Sequence, residues 1–489
     1  MKERIEAMSL SPRCTIREAM RAIDRGGVRL ALLVEPDTKR FVGLVTDGDI
    51  RRALLNGHGL ESPVSSVPRP EPKTAHVGMA ADQVAALFSE PVLVVPLLND
   101  DREVVDLAML DRRVHLPVAE PFLGEKELLY VTEAVLTGWI SSAGKFVAQF
   151  EEMFAEFCGS RYAIATSSGT TALHLALLAL DIGPGDEVIV PTLTFIGTAN
   201  AVTYTGARPV FVDSEAESWN IDPDQIEKAI TLRTKAIVPV HLYGHPANMD
   251  RILEIAAHHG LAVIEDAAEA HGARYKGRRV GSIGDIGTFS FYGNKIITTG
   301  EGGMITTNRA DLVESIRILR DHGMSRERRY WHPVLGYNYR LTNLQAAVGV
   351  AQMEKADAIL SAKRRIAQTY NEALREVPGI ILPPEAPWAY NVYWLYSILV
   401  DAGVCGATRD DLITRLKEQG VETRPLFLPL HTQPIYNSGE RLPVAESLAA
   451  TGLSLPSAVG MRLEDVARVV GGIVNVHLGK EGKLWRGAR

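Results

Sequence analysis

The chain has 489 residues and a formal net charge of −7 at neutral pH, with 46% hydrophobic and 23% charged residues. This composition is that of a globular protein, and the length predicts two or three domains rather than a single core. The acidic balance disfavours nucleic-acid partners, and no apolar run approaches the ~20 residues that a membrane helix needs.

The N-terminus and the cysteines indicate a cytoplasmic protein. The opening residues, MKERIEAMSLSPRC, lack the apolar segment that a secretory signal requires. Cys14, Cys158 and Cys405 lie far apart and show no CxxC spacing. We therefore expect a reducing compartment, no disulfide framework and no bound metal.

The first 112 residues predict a duplicated unit of helices and paired strands. The first copy, 1–62, contains the helix TIREAMRAIDRGG, the strands LALLVE and FVGLVT, and a second helix in TDGDIRRALLNG. The second copy, 74–112, repeats this order in degenerate form, with the helix MAADQVAALFSE and the strands VLVVPLL and EVVDLAML. The duplication resembles a pair of cystathionine-β-synthase-type (CBS) modules.

The CBS resemblance implies a regulatory nucleotide site. In that family a Thr or Ser and a following Asp at the start of the last helix bind a nucleotide, whose phosphate the helix N-terminus favours. Thr46 and Asp49 match this pattern, and the second copy lacks it. The alternative is that Asp49 only caps a helix and that the module is a dimerisation or docking unit.

Beyond a joint at DRRVHLP, strands alternate with helices. The strands lie in DEVIVP, ARPVFVD, TKAIVPVHLYG and LAVIEDAAEA, and helices such as TTALHLALLAL and MDRILEIAAHHG separate them. This alternation predicts an α/β fold with a mostly parallel, doubly wound sheet over 117–360, which binds ligands at the carboxyl ends of its strands. From Ser361 the pattern changes, and we expect a smaller α+β domain over 361–489.

Three segments of the predicted α/β domain carry chemistry. ATSSGTTALHLAL places Gly169 and Thr170 at a helix N-terminus, which can cradle an anion or merely cap the helix. LAVIEDAAEA delivers Asp266 at a strand end, where it can pair with a protonated pyridine nitrogen. FSFYGNKIITTGEGG holds Lys295, which could be solvated or, in a tight apolar site, form a Schiff base. Together they predict a fold-type I pyridoxal-phosphate (PLP) site.

Five motifs resemble the DegT/DnrJ/EryC1/StrS sugar aminotransferases: SSGTTAL, PTLTFIGTANAV, EDAAEAHGA, FSFYGNKIITTGEGG and GYNYRLTNLQAA. The resemblance runs from about Pro121 to the C-terminus. It implies an enzyme that uses PLP to move an amino group, usually from glutamate, to a nucleotide-linked keto sugar. It also implies a ping-pong cycle, in which Lys295 binds the cofactor covalently and, once released, acts as the general base.

The family resemblance assigns further positions to the cofactor. Asp266 would hold the pyridinium nitrogen. The other contacts that it implies are the phosphate ligands Gly169, Thr170 and Ser290, the ring-covering Phe195, and Asn338, which would reach the phosphate of the other subunit's cofactor. A homodimer with shared active sites is therefore expected. The CBS pairs could join two dimers into a tetramer.

Glu269 stands where the family often has Gln, near the phenolic oxygen of the cofactor. A charged carboxylate would repel that oxygen, so we hypothesise that Glu269 is protonated or shares a proton with it. A Glu at this position, together with the segments RERRYWHPVLGYNYRLTN and RPLFLPLHTQPIY, resembles the sequence pattern of the GDP-perosamine synthase subgroup. Enzymes of that subgroup aminate C4 of GDP-4-keto-6-deoxy-mannose. Close relatives use UDP- or dTDP-linked sugars.

Two residues match positions near the sugar nucleotide in that subgroup. They are Trp331 in RRYWH and His431 in PLHTQPIY, and the alternative is a core tryptophan and a packed loop histidine. His241 and His245 in HLYGH are interpreted as loop residues, since no third ligand accompanies them. Two competing functions are a regulatory protein on this scaffold, and another PLP reaction such as racemisation or elimination on an amino acid.

Overall fold

The structure, a computed structural model, describes residues 2–26, 30–80, 83–84, 86–88, 92, 94–109, 116–437 and 439–478. It divides into two compact units, Met1–Val114 and His115–Arg489. None of the described helices is long and apolar enough to cross a membrane.

The N-terminal unit contains two three-stranded sheets of the same design. In each, a short first strand pairs in parallel with the second, which pairs antiparallel with the third. The elements are α1 (Lys2–Met8), β1 (Ser9–Leu10), α2 (Ile16–Gly26), β2 (Leu30–Val34), β3 (Phe41–Thr46), α3 (Asp47–Leu55), β4 (Ala75–His76), β5 (Val94–Leu98) and β6 (Val104–Met109). The helix predicted at 79–90 lies partly outside the described residues, and the division into copies at 1–62 and 74–112 stays a prediction.

The larger unit begins with alternating helices and strands. Its elements as far as the second half of the large sheet are α4 (Glu125–Leu136), α5 (Lys145–Cys158), β7 (Tyr162–Thr166), α6 (Gly169–Ala179), β8 (Glu187–Pro191), α7 (Gly197–Tyr204), β9 (Arg208–Val212), α8 (Pro223–Ala229), β10 (Thr234–Ile237), α9 (Met249–His259), β11 (Ala262–Asp266), β12 (Arg274–Tyr275), β13 (Arg278–Arg279), β14 (Ile286–Ser290) and β15 (Gly303–Thr307).

Seven of these strands form one sheet, in the order β7-β15-β14-β11-β10-β8-β9. Only β15 runs antiparallel to its neighbours in this sheet, so the predicted, mostly parallel arrangement is confirmed. Successive residues of a strand enter different core clusters: Val263 and Met304 belong to one, and Ile264 and Ile305 to the other. Each face of the sheet therefore has its own core, which explains why its strands read as continuous apolar runs.

The rest of the chain forms a smaller antiparallel sheet, in the order β16-β18-β20-β19, with helices around it. The elements are α10 (Ala310–Arg320), α11 (Asn343–Met353), α12 (Ala356–Leu374), β16 (Ile380–Ile381), β17 (Ala389–Tyr390), β18 (Tyr396–Val400), α13 (Ala402–Cys405), α14 (Arg409–Glu418), β19 (Arg424–Pro425), α15 (Pro443–Thr451), β20 (Gly452–Leu455) and α16 (Leu463–Leu478). The sheet agrees with the predicted α+β region, and the boundary predicted at residue 360 falls inside α12.

Candidate active site

A cavity of about 430 Å³ opens at the carboxyl ends of the parallel strands, where β11 and β14 finish and α6 begins. Ligands of doubly wound folds gather at this edge. Of the positions that the sequence assigned to the cofactor, seven line the cavity: Gly169, Thr170, Phe195, Asp266, Glu269, Ser290 and Lys295.

The first turn of α6 forms one wall of this cavity. Ser168 caps the helix by accepting a hydrogen bond from the N–H of Thr171 at 3.2 Å. Gly169 lies against the end of β14, and a Cβ there would stand 2.7 Å from the Cβ of Ser290. The close approach leaves the helix N-terminus beside the hydroxyls of Thr170 and Ser290. A phosphate fits this arrangement, because the first N–H groups of a helix lack intrahelical partners and carry partial positive charge.

Asp266 ends β11 and is buried in the cavity floor. Its Oδ2 accepts a hydrogen bond from the Thr198 hydroxyl at 2.7 Å, and its Oδ1 accepts one from the N–H of Ala268 at 3.2 Å. Burial nevertheless raises the pKa of Asp266 above its usual range. A cation bound beside this carboxylate would favour the charged form, so the residue fits a partner such as a protonated pyridine nitrogen.

Lys295 extends from the loop after β14, with 11% of its side chain exposed. Its Nζ lies 3.6 Å from the centroid of the Trp394 indole ring and 3.9 Å from Oε1 of Glu269. Burial lowers the pKa of Lys295 below its usual value, and the negative charges of Glu269 and Asp266 oppose this shift. A lysine that can lose its proton in such a site is a competent nucleophile for a carbonyl group.

Glu269 is buried next to Lys295, and its Oε2 accepts a hydrogen bond from the N–H of Tyr243 at 2.8 Å. Burial raises the pKa of Glu269, and the nearby Lys295 only partly opposes the shift. This direction is the one that the hypothesis of a protonated Glu269 requires.

Aromatic rings from distant segments form a second wall. Phe195 is 56% exposed, and its ring centroid lies 6.0 Å from that of Phe427. Phe427 stacks on Tyr243 at 5.2 Å, and Tyr243 stacks on Trp394 at 6.2 Å. Of these aromatic residues, the sequence predicted only Phe195 at the cofactor. The aromatic-rich segments YNVYWLY and RPLF carried the signal for Trp394 and Phe427.

Three residues that the sequence assigned to the PLP or sugar-nucleotide site lie outside the cavity lining. Asn338 Oδ1 accepts hydrogen bonds from Arg340 at 3.1 and 3.3 Å. Trp331 is 54% exposed, and its ring lies 4.6 Å from the guanidinium carbon of Arg328. Within a single chain, neither residue lines the cavity. The roles of Asn338 at a partner's site and of Trp331 at the sugar nucleotide therefore stay predictions.

His431 is the third of these residues, and it is buried. Its Nδ1 lies 2.7 Å from the hydroxyl of Thr192, and its Nε2 lies 3.4 Å from Oε1 of Glu446. The geometry is that of the packed loop histidine considered as the alternative, and contact with a sugar nucleotide stays a prediction.

In the N-terminal unit, Thr46 is the N-cap of α3 and Asp49 completes its capping box. Asp49 Oδ2 accepts hydrogen bonds from the N–H and the hydroxyl of Thr46 at 2.9 and 2.7 Å. Asp49 Oδ1 pairs with Arg52 at 2.6 Å. Both carboxylate oxygens are therefore engaged locally, which is the geometry of the capping alternative. A nucleotide at Thr46 and Asp49 stays a prediction.

The two histidines of HLYGH have partners within the fold. His241 Nδ1 accepts a hydrogen bond from the N–H of Ala247 at 3.0 Å, and its Nε2 lies 3.1 Å from Oε2 of Glu265. His245 Nε2 accepts a hydrogen bond from the N–H of Ala386. The described residues contain no group of His, Cys, Asp and Glu side chains that could hold a metal ion.

The pattern of the DegT/DnrJ/EryC1/StrS aminotransferase family matches residues 121–474, which contain the whole cavity. The chain belongs to this family. A CBS domain pattern also matches residues 3–56, in agreement with the first predicted copy.

Individual relatives support this membership over 72–74% of the chain. The GDP-perosamine synthase of Caulobacter vibrioides is 50% identical over 74% of this chain and 98% of its own length. That of Escherichia coli O157:H7 is 48% identical over 72% of this chain and 96% of its own length. Among solved structures, DesV of S. venezuelae is 39% identical with a TM-score of 0.68, covering 72% of this chain and 94% of its own.

DegT-family aminotransferases depend on PLP. The predictions of a PLP-dependent enzyme with a fold-type I architecture, and of a nucleotide-sugar aminotransferase, are therefore confirmed. The assignment of individual contacts to the cofactor rests on the geometry given above and on the resemblance.

Proposed function

We propose that the enzyme transfers an amino group from glutamate to the C4 ketone of GDP-4-keto-6-deoxy-mannose, giving GDP-perosamine. The observation that carries this proposal is the match to two relatives named GDP-perosamine synthase, over 98% and 96% of their own length. Glu269 and the segments around Trp331 and His431 are the sequence features that first suggested the same subgroup.

The cavity supports amino transfer through the residues that would hold the cofactor. PLP supplies an electron sink and carries the amino group between the two substrates. Thr170, Ser290 and the N-terminus of α6 would bind its phosphate, with Gly169 permitting the close approach. Asp266, once ionised, would keep the ring nitrogen protonated. Phe195 would cover one face of the ring.

Lys295 is the proposed catalytic residue. Its Nζ, desolvated beneath Trp394, would bind the cofactor covalently at rest and move a proton at the substrate carbon during each half-reaction. Oε1 of Glu269 lies 3.9 Å from this amine, so the charge of each group affects the pKa of the other. An aromatic part of the cavity wall, which limits access of water to the reacting atoms, is supplied by Phe195, Tyr243, Trp394 and Phe427.

A homodimer is part of the proposal, and α4 provides a surface for it. Large apolar side chains of α4 and the following loop are exposed: Leu128, Leu129, Val135, Leu136, Trp139 and Ile140. Leu128 and Val135 lie seven residues apart, and so do Leu129 and Leu136, which places both pairs on one helix face. A contiguous apolar face of this kind marks a protein interface, and a second copy would also bring Asn338 to a neighbouring cavity.

Three finer proposals concern the whole protein. The N-terminal unit could bind a regulatory nucleotide at Thr46 and Asp49, in exchange for the local contacts of Asp49 with Thr46 and Arg52. It could also join two dimers into a tetramer. The proposed location is the cytoplasm, where nucleotide sugars and glutamate are both available.

An amination assay tests the proposal directly. Purified protein receives PLP and glutamate together with GDP-4-keto-6-deoxy-mannose, or with a UDP- or dTDP-linked 4-keto-6-deoxy sugar, each with and without adenine nucleotides. We expect turnover of the GDP sugar. Turnover of a UDP or dTDP sugar alone would refute the substrate assignment, and binding of PLP without turnover of any sugar would favour a regulatory protein on this scaffold.

A further inference from the structure

Lys363 is a buried lysine of α12 that makes no ion pair with any described residue. Its Nζ instead donates hydrogen bonds to the backbone oxygen of Trp394 at 2.9 Å and to the hydroxyl of Ser457 at 3.0 Å, and also to the backbone oxygen of Ser457. Burying an ammonium group without a counter-charge is costly, so a purely structural position would be filled more cheaply by an apolar side chain.

Trp394, whose backbone oxygen accepts a hydrogen bond from Lys363, also covers the amine of Lys295. The Trp394 ring lies 3.6 Å from Nζ of Lys295. The ring N–H of Trp394 donates a hydrogen bond at 2.8 Å to the backbone oxygen of Asn294, the residue just before Lys295. One tryptophan therefore contacts the amine of Lys295 through its ring face and the backbone next to Lys295 through its ring edge.

We propose that Lys363 is a positioning residue for the catalytic lysine, because it fixes Trp394, which in turn fixes Lys295 in the cavity. The link joins α12, the segment before β18 and the loop after β14. This inference rests on the proposed role of Lys295.

The three acceptors around Lys363 explain why a lysine is used there. An ammonium group has three N–H donors, and they meet three oxygens from two different segments. Burial lowers the pKa of Lys363 to about 7. Hydrogen bonds to acceptor oxygens in general favour the charged form of an amine. A methionine of similar length could fill the space but could hold neither Trp394 nor Ser457.

The test is the chemical reactivity of Lys295 in the full-length chain freed of cofactor. Acetic anhydride is added across a range of pH, and the acetylation rate of Lys295 is obtained from the masses of its peptide. In Lys363→Met we expect several-fold faster acetylation, because Trp394 no longer holds its ring over the amine. Trp394→Phe keeps a ring but loses the hydrogen bond to Asn294, and it should accelerate the reaction in the same direction.

A matched control lies on the same helix. Tyr370 is buried in α12 and donates a hydrogen bond at 2.9 Å to the backbone oxygen of Pro456, beside Ser457. Tyr370→Phe removes a buried hydrogen bond to the same loop but leaves Trp394 untouched, so Lys295 should react at the wild-type rate. Folding of each variant is checked by circular dichroism, and Lys363→Gln carries the test if Lys363→Met does not fold.

Three results would overturn the proposal. The first is an unchanged acetylation rate in folded Lys363→Met, and the second is an equal acceleration in Tyr370→Phe. The third is an additive effect in the Lys363→Met/Trp394→Phe double variant, because two residues that act through one contact should be non-additive. The assay contains neither PLP nor sugar, so its outcome is independent of which nucleotide sugar the enzyme uses.

Discussion

Nζ of Lys295 lies 3.9 Å from Oε1 of Glu269, and both groups are buried in the cavity. Burial acts on the two in opposite directions, since it lowers the pKa of the lysine and raises that of the carboxyl group. Each shift favours the neutral form. The pair therefore holds an uncharged amine beside a protonated acid more readily than two surface residues would.

Glu269→Gln should move the pH dependence of amino transfer to lower pH. Whenever Glu269 is ionised, its charge raises the pKa of Lys295, whereas a glutamine is never charged. The substitution therefore lowers that pKa and keeps the amine neutral in more acidic solution. We expect the acidic limb of kcat against pH to move to lower pH. The visible absorbance of the bound cofactor should show a changed titration as well.

The control for this variant is Glu215→Gln. Burial also raises the pKa of Glu215, but this residue does not line the cavity. Its substitution should leave the profile of kcat against pH unchanged. Coincident profiles for wild type and Glu269→Gln would contradict the proposed coupling between Glu269 and Lys295.

Lys295→Arg should abolish amino transfer while the protein stays folded. A guanidinium group keeps the positive charge but can neither lose its proton near neutral pH nor bind the cofactor covalently. We expect a loss of about 10³-fold or more in kcat, since both covalent binding and general base catalysis are removed. The exposed Lys276, which pairs with Asp250, supplies the control Lys276→Arg. Retained activity in Lys295→Arg would refute the catalytic assignment.

Gly169→Ala should weaken cofactor binding. The new Cβ would stand 2.7 Å from the Cβ of Ser290, so the N-terminus of α6 must move away from β14. We expect the Kd for PLP to rise about tenfold, which corresponds to about 1.4 kcal/mol. Gly471→Ala is the matched control, because a Cβ at this helical position meets no atom within 4 Å. Equal PLP affinity in the two variants would argue against a phosphate site at the N-terminus of α6.

The sequence was sufficient for the parts of the site that lie within single motifs. Asp266 and Lys295 sit beside strand ends, and an apolar run followed by polar or small residues shows this directly. The mostly parallel character of the sheet follows from the same alternation of strands and helices. Gly169 was recognisable because small residues precede an amphipathic helix.

Contacts between distant segments could not be read in this way. Trp394 contacts Lys295 although the two are 99 residues apart in sequence, and Lys363 contacts Trp394 from α12. Hydrophobic periodicity indicates which face of an element is buried, but it does not say which segments meet. For Asp49, the same TxxD spacing serves a capping box and a nucleotide site, so only the observed partners favour one interpretation.

Thr46→Val should loosen α3 without affecting the larger unit. The substitution removes the side chain that accepts a hydrogen bond from the N–H of Asp49 at 3.2 Å. Loss of an N-cap costs about 1 kcal/mol. Hydrogen exchange measured on the full-length protein should accelerate in residues 47–55 and stay unchanged in 169–179. If adenine nucleotides slow exchange in 47–55 of the wild type but not of the variant, the regulatory site gains support.

Leu129→Asp/Leu136→Asp should convert the proposed dimer into monomers. Both side chains are exposed on α4, and Leu136 is 81% exposed, whereas the opposite face packs through the buried Ala134. Two carboxylates in the centre of an apolar interface would remain desolvated and unpaired, which disfavours association. Sedimentation velocity should show the change in mass, and amino transfer should fall with it, since the proposed active site needs Asn338 of a second copy.

The control for the interface is Leu463→Asp. Leu463 is 69% exposed at the start of α16, far in sequence from the apolar face of α4. This variant should keep both the mass and the activity of the wild type. If the α4 variant also keeps them, the dimer uses another surface. If it becomes monomeric yet stays fully active, each chain carries a complete site and the shared-site proposal fails.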